Sequence, residues 1–239
     1  MQKANNLQIW NEDISPSRRY VLIRVDSNQA VTKVRVVTGE EIAQYEKTGT
    51  LTHKYQARSS TSVTKSCLVS KSDTPKVIKS LIDNRSPIWP DFKPIQTVYS
   101  KLHKIVGSKI TNPGIDQERN RGGMLHAAIC RHLGKHSWSD TGQFPDVPDQ
   151  LLEIKLQTAP TIDLGLVCPD SKEKIAGFPD FHHCDVRYAV FYGTALGSKV
   201  RLNQLVLTTG ADFFKFFRRF EGKVKNAKIQ IPLPADFFD

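Results

Sequence analysis

The stretch QFPDVPDQLLEIKLQTAP, which spans Gln143–Pro160, carries the strongest pattern in this 239-residue sequence. Its second half, Leu151–Gln157, alternates aliphatic and polar residues. Such alternation predicts a strand, because side chains two positions apart share a face. The polar face would hold Glu153, Lys155 and Gln157, and the opposite face Leu152, Ile154 and Leu156. We therefore expect a core strand whose polar face is open and forms a site.

A carboxylate upstream of this strand completes a candidate metal site. Six residues separate Asp146 from Glu153, which is enough chain for a turn that returns the Asp146 carboxylate to the strand. The two carboxylates and the backbone carbonyl between Glu153 and Lys155 are hard oxygen ligands that suit Mg²⁺. Such an ion would polarise a phosphodiester and lower the pKa of a bound water. Lys155 would then either orient the nucleophile or stabilise negative charge, although a bare Glu-x-Lys pattern is more often a surface ion pair.

The charge of the chain is positive and unevenly distributed. The sequence has 34 Lys and Arg against 24 Asp and Glu, which gives a formal net charge of +10. Residues 1–110 contain 18 basic and 9 acidic side chains, whereas residues 111–239 contain 16 and 15. An excess of positive charge in one half is expected of a chain that contacts a polyanion there, and it also fits a generally basic, solvated surface.

Prolines and residue patterns predict two domains. The segment Asn84–Pro94 contains three prolines and predicts a boundary between a basic N-terminal unit, residues 1–90, and a second domain, residues 91–239. The second domain mixes predicted helices and strands, including a helix over Gly210–Glu221 whose phenylalanines are expected to pack in the core. The expected fold class is α/β (α+β), with a mixed central sheet flanked by helices and a small β-rich N-terminal unit.

Cysteine usage and hydropathy favour a cytoplasmic protein without a membrane partner. The four cysteines form no CxxC pair, which argues against a disulfide framework and a zinc ribbon. No run reaches the roughly 18 apolar residues that a membrane span needs. Two groups contain other metal-ligand residue types: Cys130, His132 and His136, and His182, His183 and Cys184. Neither matches a zinc-finger spacing or supplies a clean fourth ligand, so structural zinc is not favoured.

The spacing Asp146-x6-Glu153-x-Lys155, with Pro145 before the aspartate, resembles the motif of the PD-(D/E)xK nuclease superfamily. The similarity to the methyl-directed mismatch-repair nicking endonuclease and its restriction-enzyme relatives extends to three further stretches. These are a helix ending in HLG (Gly122–Gly134), a Leu-Gly segment (Thr161–Cys168) and a His-x-x-Asp-Val-Arg stretch before an apolar strand (His182–Arg187). The resemblance covers residues 122–193, about a third of the chain.

This resemblance implies a restriction-endonuclease-like fold and Mg²⁺-dependent hydrolysis of double-stranded DNA, which leaves 5′-phosphate and 3′-hydroxyl ends. Asp146 and Glu153 would be the metal ligands, and Lys155 the catalytic lysine. Gln157, which shares their strand face, is a further catalytic candidate. The expected enzyme is a type II restriction endonuclease.

The sequence departs from the family pattern before the motif. Many relatives have another acidic residue in the preceding helix, but Met124–Leu133 has none, and Glu118 lies one or two turns earlier. Whether Glu118 substitutes for that residue stays open. Asp149 competes with Asp146 as the first carboxylate, but only three residues separate Asp149 from Glu153. We prefer Asp146 because the shorter link leaves little room for a turn.

The expected partners follow from this function. A palindromic DNA site matches two-fold symmetry, so a homodimer is expected, together with a cognate DNA methyltransferase that protects host DNA. The candidate DNA contacts are Arg119, Arg121, Lys135 and Thr158. Two alternatives stay open. One is a methylation-sensing or repair endonuclease. The other is a non-catalytic DNA-binding module, whose binding would depend steeply on salt and need no Mg²⁺.

Overall fold

The structure is a computed structural model that describes residues 6–10, 14–46, 52–59, 64–83, 91–111, 118–135, 142–219 and 226–239. Chain contacts divide it into a smaller unit, residues 1–54 and 225–239, and a larger unit, residues 55–224. This division differs from the predicted one near residue 90. Residues 55–83 belong to the larger unit because their strands pair with strands from the C-terminal half of the sequence.

Fourteen strands and five helices are present in the described residues. The strands are β1 (Asn6–Trp10), β2 (Arg19–Val25), β3 (Val31–Thr38), β4 (Thr52–Ser59), β5 (Cys67–Leu68), β6 (Lys109–Thr111), β7 (Leu152–Gln157), β8 (Thr161–Gly165), β9 (Lys174–Ile175), β10 (Phe178–His182), β11 (Arg187–Leu196), β12 (Lys199–Thr209), β13 (Phe217–Arg219) and β14 (Asn226–Pro232). The helices are α1 (Gly39–Ala43), α2 (Pro75–Ile82), α3 (Ile95–His103), α4 (Glu118–Leu133) and α5 (Phe213–Phe216).

A mixed sheet forms the centre of the larger unit. Its strand order is β5-β12-β11-β7, and β6 also pairs with β12. The hairpin of β11 and β12 is antiparallel, whereas β7 runs parallel to β11 and β5 runs parallel to β12. The expected mixed α/β architecture, with a multi-stranded mixed sheet and flanking helices, is confirmed.

Each face of this sheet is covered by its own buried cluster. On one face, α4 packs against β7, and α3 packs against α4 and β12, with Leu102 and Ile129 in the same cluster as Ile154. On the other face, Val77 of α2 and Ile162 of β8 pack with residues of β11 and β12. Strand β8 belongs to this second layer, where it pairs with residues 55–58 of β4.

The smaller unit consists mainly of strands. Strand β14 pairs with β1 and with residues 52–54 of β4. The hairpin of β2 and β3 packs one face onto a core that includes Ile42 and Phe237. Helix α1 follows β3 directly, because Thr38 and Glu41 form a capping box that satisfies the first backbone donors of the helix.

The predicted helix over Gly210–Glu221 is wrong in its extent. A 3₁₀ turn and α5 end at Phe216, and Phe217 then begins β13, which pairs with β4. The helical spacing of the phenylalanines is therefore overridden by strand pairing between distant segments. Their expected place in the core is confirmed for Phe213 and Phe217, both buried. No helix among the described residues combines the length and apolar character needed to cross a membrane.

Candidate functional site

Strand β7 carries the candidate site at the edge of the central sheet. Its aliphatic side chains face α3 and α4, as the alternation predicted, because Leu152 and Ile154 lie in the cluster that these helices form. Its polar side chains therefore point to the other face. In register, Glu153 lies beside Tyr188 and Lys155 beside Val190 of β11. The predicted strand and the separation of its two faces are confirmed. The polar face is less open than expected, because Glu153 is buried and Lys155 is only partly exposed.

A tight loop returns Asp146 to this strand. Val147 bridges Leu152 in an antiparallel pair, and Leu151 between them takes a positive φ of 43°. The backbone N–H of Ile154 donates to Asp146 Oδ2 over 2.8 Å, and the backbone N–H of Asp146 donates to Glu153 Oε2 over 3.2 Å. These two hydrogen bonds hold the Asp146 and Glu153 carboxylates at the same edge of β7.

Lys155 completes the group through an ion pair. Its Nζ lies 2.8 Å from Glu153 Oε1, and the side chains of Lys155 and Glu153 are only 21% and 9% exposed. Burial acts to lower the pKa of Lys155, but the adjacent Glu153 carboxylate, helped by Asp146, more than offsets burial. The pKa of Lys155 is therefore raised, and its ammonium group stays protonated at neutral pH.

A third carboxylate, Asp163, lies near this group and was not predicted from the sequence. Asp163 is exposed on β8, and its charge also acts to raise the pKa of Lys155. Its position depends on the pairing of β8 with β4, a contact between distant segments. The local signal was weak, because a single aspartate six residues after a strand fits a turn equally well. Together with Asp146 and Glu153, it gives the group three carboxylates around one ammonium.

His183 is a second residue that the sequence did not place at the site. Its ring stacks on Phe144, two residues before Asp146, with 4.8 Å between the ring centroids. Burial lowers the pKa of His183, and Glu173 and Glu153 partly counteract this effect. Its Nδ1 is buried and has no hydrogen-bond partner among the described residues. A neutral imidazole therefore lies within the electrostatic reach of Glu153.

Buried polar contacts of Gln150 hold the segment between Asp146 and β7 in place. The side chain of Gln150 accepts a hydrogen bond from the backbone of Lys93 and donates one to the backbone of Asp91. Arg187 Nη1 lies 3.4 Å from the Gln150 carbonyl, and its Nε donates to Asp73 Oδ1 over 2.7 Å. Because Arg187 and Asp73 are both buried, their pair is part of the scaffold and not of the open site.

The remaining predicted site residues have different surroundings. Lys135, a candidate DNA contact, forms an ion pair with Asp149, the alternative first carboxylate. Gln157 lies at the end of β7, half-buried beside Tyr192, and Thr158 follows it and is exposed. Three residues belong to α4, but their side chains lie outside the described part of the chain: Glu118, Arg119 and Arg121.

Metal-ligand residue types also meet at a second place. His182, Cys184 and Asp185 each bring one ligand atom within 4.8 Å of the others. However, Lys76 Nζ lies 3.2 Å from His182 Nδ1, and Asp185 already accepts hydrogen bonds from Thr74 and from the His182 backbone. This group supplies one carboxylate beside a thiol and an imidazole, whereas Asp146 and Glu153 supply two, so it suits a hard cation such as Mg²⁺ less well than the Asp146 group does. The other sequence candidate, His136, lies outside the described residues.

Comparisons with known proteins add no relative. No protein-family model, no curated protein and no solved structure matches the chain. The functional argument therefore rests on the geometry and charge of the site.

Proposed function

We propose that the chain is a type II restriction endonuclease of the PD-(D/E)xK superfamily, with a restriction-endonuclease-like catalytic fold. The reaction would be the Mg²⁺-dependent, site-specific hydrolysis of phosphodiesters in double-stranded DNA, leaving 5′-phosphate and 3′-hydroxyl ends. One observation carries the proposal: Asp146, Glu153 and Lys155, the three residues of the motif, lie together on one edge of β7.

The donor set at this edge fits a hard divalent cation. Asp146 and Glu153 would hold Mg²⁺, together with the Ile154 carbonyl. The N–H and C=O of one residue project from the same side of a strand, and the Ile154 N–H points to Asp146. The surplus of negative charge around Lys155 also favours a cation. Bound there, Mg²⁺ would act as a Lewis acid on the phosphodiester and lower the pKa of a bound water.

Lys155 would act as a fixed positive charge. Its raised pKa keeps the ammonium protonated at neutral pH, so it can donate hydrogen bonds to phosphate oxygens but cannot accept a proton there. Its ion pair with Glu153 fixes the ammonium beside the proposed metal ligands. Charge stabilisation at phosphorus, or orientation of the attacking water by hydrogen bonding, is the role that this state supports.

The rest of the chain would contact the DNA backbone and recognise the DNA sequence. The excess of positive charge in residues 1–110 would contact phosphates, and Thr158, exposed just beyond β7, would reach toward a groove. Lys135 would contribute only after exchanging its Asp149 partner for a phosphate. A homodimer on a palindromic site and a cognate DNA methyltransferase acting on the same site complete the proposal.

The decisive experiment is digestion of unmethylated phage DNA by the purified chain, with Mg²⁺ and with EDTA. We expect discrete bands with Mg²⁺ and intact DNA with EDTA, and end-sequencing of the fragments would define the site. Lys155→Ala should abolish cleavage and keep DNA binding in a gel-shift assay. The matched control is Lys174→Ala, which removes an exposed lysine and should cleave normally.

Two other results would overturn the proposal in different ways. Intact unmethylated DNA but cleaved methylated DNA would identify a modification-dependent endonuclease. Intact DNA in every lane, with salt-sensitive binding that does not require Mg²⁺, would identify a non-catalytic binding module. Calorimetric titration with Mg²⁺ tests the cation site without activity, because Glu153→Gln should weaken binding and Asp149→Asn should not.

A further inference from the structure

One face of the β2–β3 hairpin exposes an unbroken set of aliphatic side chains. The register pairs Val21 with Val36, Ile23 with Val34, and Val25 with Val31. We call these six residues the outer hairpin face. Every one of them is between 52% and 60% exposed, although aliphatic residues are normally among the most buried.

The opposite face of the same hairpin is already used. Tyr20, Leu22 and Val37 alternate with the outer residues and pack against the core of the smaller unit. In the described residues, β2 and β3 pair only with each other. The hairpin is therefore anchored through one face, and it presents three aliphatic rungs on the other, with a register shift before the third rung.

The size of this face matches half of a protein–protein interface. Six valine or isoleucine side chains that are half exposed present roughly 500 Å² of apolar surface, near the upper range for the largest patch on a monomer. Two such faces in contact would bury about 1,000 Å² in total, which is the lower limit for a specific interface.

The chemistry of the face selects its partner. None of the six residues carries a charge or a hydrogen-bonding side chain, so the face cannot contact phosphates. Three of the four hairpin cations, Arg24, Lys33 and Arg35, alternate onto the opposite face, and Arg19 borders the apolar rungs at the start of β2. A membrane-binding surface instead places several cations around the apolar contact. A second copy of the chain offers an identical β-branched face, and such faces pack well in sheet-on-sheet contacts.

We propose that the outer hairpin face is the interface of a homodimer in which two hairpins pack face to face around a two-fold axis. In such an isologous contact, each aliphatic rung of one copy meets a rung of the other. This assignment rests on the smaller unit alone and does not depend on the proposed nuclease activity.

The test measures the mass of the full chain by sedimentation equilibrium between about 1 and 100 µM, because dimerisation depends on concentration. The wild-type chain should approach twice 26.9 kDa. Ile23→Asp, in the central rung, should weaken dimerisation at least 100-fold. The matched control, Leu196→Asp, places the same charge at an exposed aliphatic position of β11 and should stay dimeric.

A milder variant separates loss of the interface from loss of the fold. Ile23→Thr keeps a β-branched residue in the strand but removes apolar area, and it should weaken dimerisation about tenfold with an unchanged circular dichroism spectrum. A wild-type mass of one subunit at 100 µM would overturn the proposal, and so would a folded Ile23→Thr or Ile23→Asp chain that dimerises like wild type. A monomer that binds phosphatidylcholine–phosphatidylglycerol vesicles through Ile23 would assign the face to a membrane instead.

Discussion

Two ion pairs on neighbouring strands of the central sheet have contrasting surroundings. Arg187 and Asp73 are enclosed, with side chains 1% and 7% exposed, and the Arg187 guanidinium also lies 4.0 Å from the centroid of the Phe92 ring. Glu153 is as buried as Asp73, but the Lys155 side chain is 21% exposed, and Asp146 and Asp163 add negative charge around this pair.

Charge balance, and not burial alone, separates a scaffold from a candidate site. The Arg187–Asp73 pair has one cation and one anion, which suits a structural contact between a loop and a strand. The Lys155 group has more anions than cations, an arrangement that costs stability unless a cation or ligand compensates. Four measurements test this difference, and they are arranged from the largest expected effect to the smallest.

The first compares the two candidate first carboxylates. Asp146→Asn should lower the single-turnover rate of Mg²⁺-dependent DNA cleavage by at least about 10³-fold, which is about 4 kcal/mol of activation free energy. Asp149→Asn should change this rate by less than about 10-fold, because Asp149 pairs with Lys135 and not with the Lys155 group. A loss of equal size in both variants would contradict the assignment of Asp146. Thermal unfolding of both variants checks that each is folded.

The second replaces an aspartate near each ion-pair cation by asparagine: Asp73, the partner of Arg187, and Asp163, a neighbour of Lys155. Asp73→Asn should lower the free energy of unfolding by about 3 kcal/mol, because it leaves the buried Arg187 guanidinium without its counter-charge. Asp163→Asn should instead raise the free energy of unfolding by a few tenths of a kcal/mol, because it relieves repulsion among carboxylates. Urea denaturation at pH 7 measures both. If Asp163→Asn destabilises as strongly as Asp73→Asn, the contrast between the two pairs does not hold.

The core of the candidate site was predictable because its signals are local. Alternation along Leu151–Gln157 defined two faces of a strand, and the length of chain after Asp146 allowed a return to that strand. Both depend only on residues within one short segment. The hydrogen bond from the Ile154 backbone to Asp146 is the physical result of that spacing.

The parts that could not be predicted depend on contacts between distant segments. Asp163 reaches the site because β8 pairs with β4, and Phe217 leaves its helical pattern because β13 pairs with the same strand. The sequence predicted a β-rich N-terminal unit, but the register of β2 and β3 was needed to show that six aliphatic side chains share an exposed face. Local sequence does not contain these pairings.

The third prediction concerns the pH dependence of the Lys155–Glu153 pair. The pKa of Lys155 is raised in the folded state, so the unfolded chain loses this proton at a lower pH, near 10.5. The pair therefore contributes its full stability below that pH and loses it as pH rises through the folded pKa. The difference in unfolding free energy between wild type and Lys155→Met should be constant from about pH 7 to pH 9 and shrink above about pH 10.5. A difference that already shrinks between pH 7 and 9 would show that Glu153 does not raise the pKa of Lys155.

The smallest expected effect belongs to His183, the neutral imidazole beside the Asp146 loop. Burial lowers its pKa below the ordinary value, so the unfolded chain binds a proton more readily than the folded chain as pH falls below about 6.5. The free energy of unfolding should therefore decrease as pH falls through this range, and His183→Gln should reduce that slope.

The matched control for this measurement is His103→Gln, which removes an exposed imidazole at the end of α3. Urea denaturation at several pH values between about 5 and 8 provides the slopes. Equal slope changes in the two variants would show that the burial of His183 against Phe144 does not lower the pKa of His183. A smaller slope in His183→Gln alone would mean that protonation disturbs the stacked pair next to Asp146. In that case, DNA cleavage should also decline in this pH range by an amount that His183→Gln reduces.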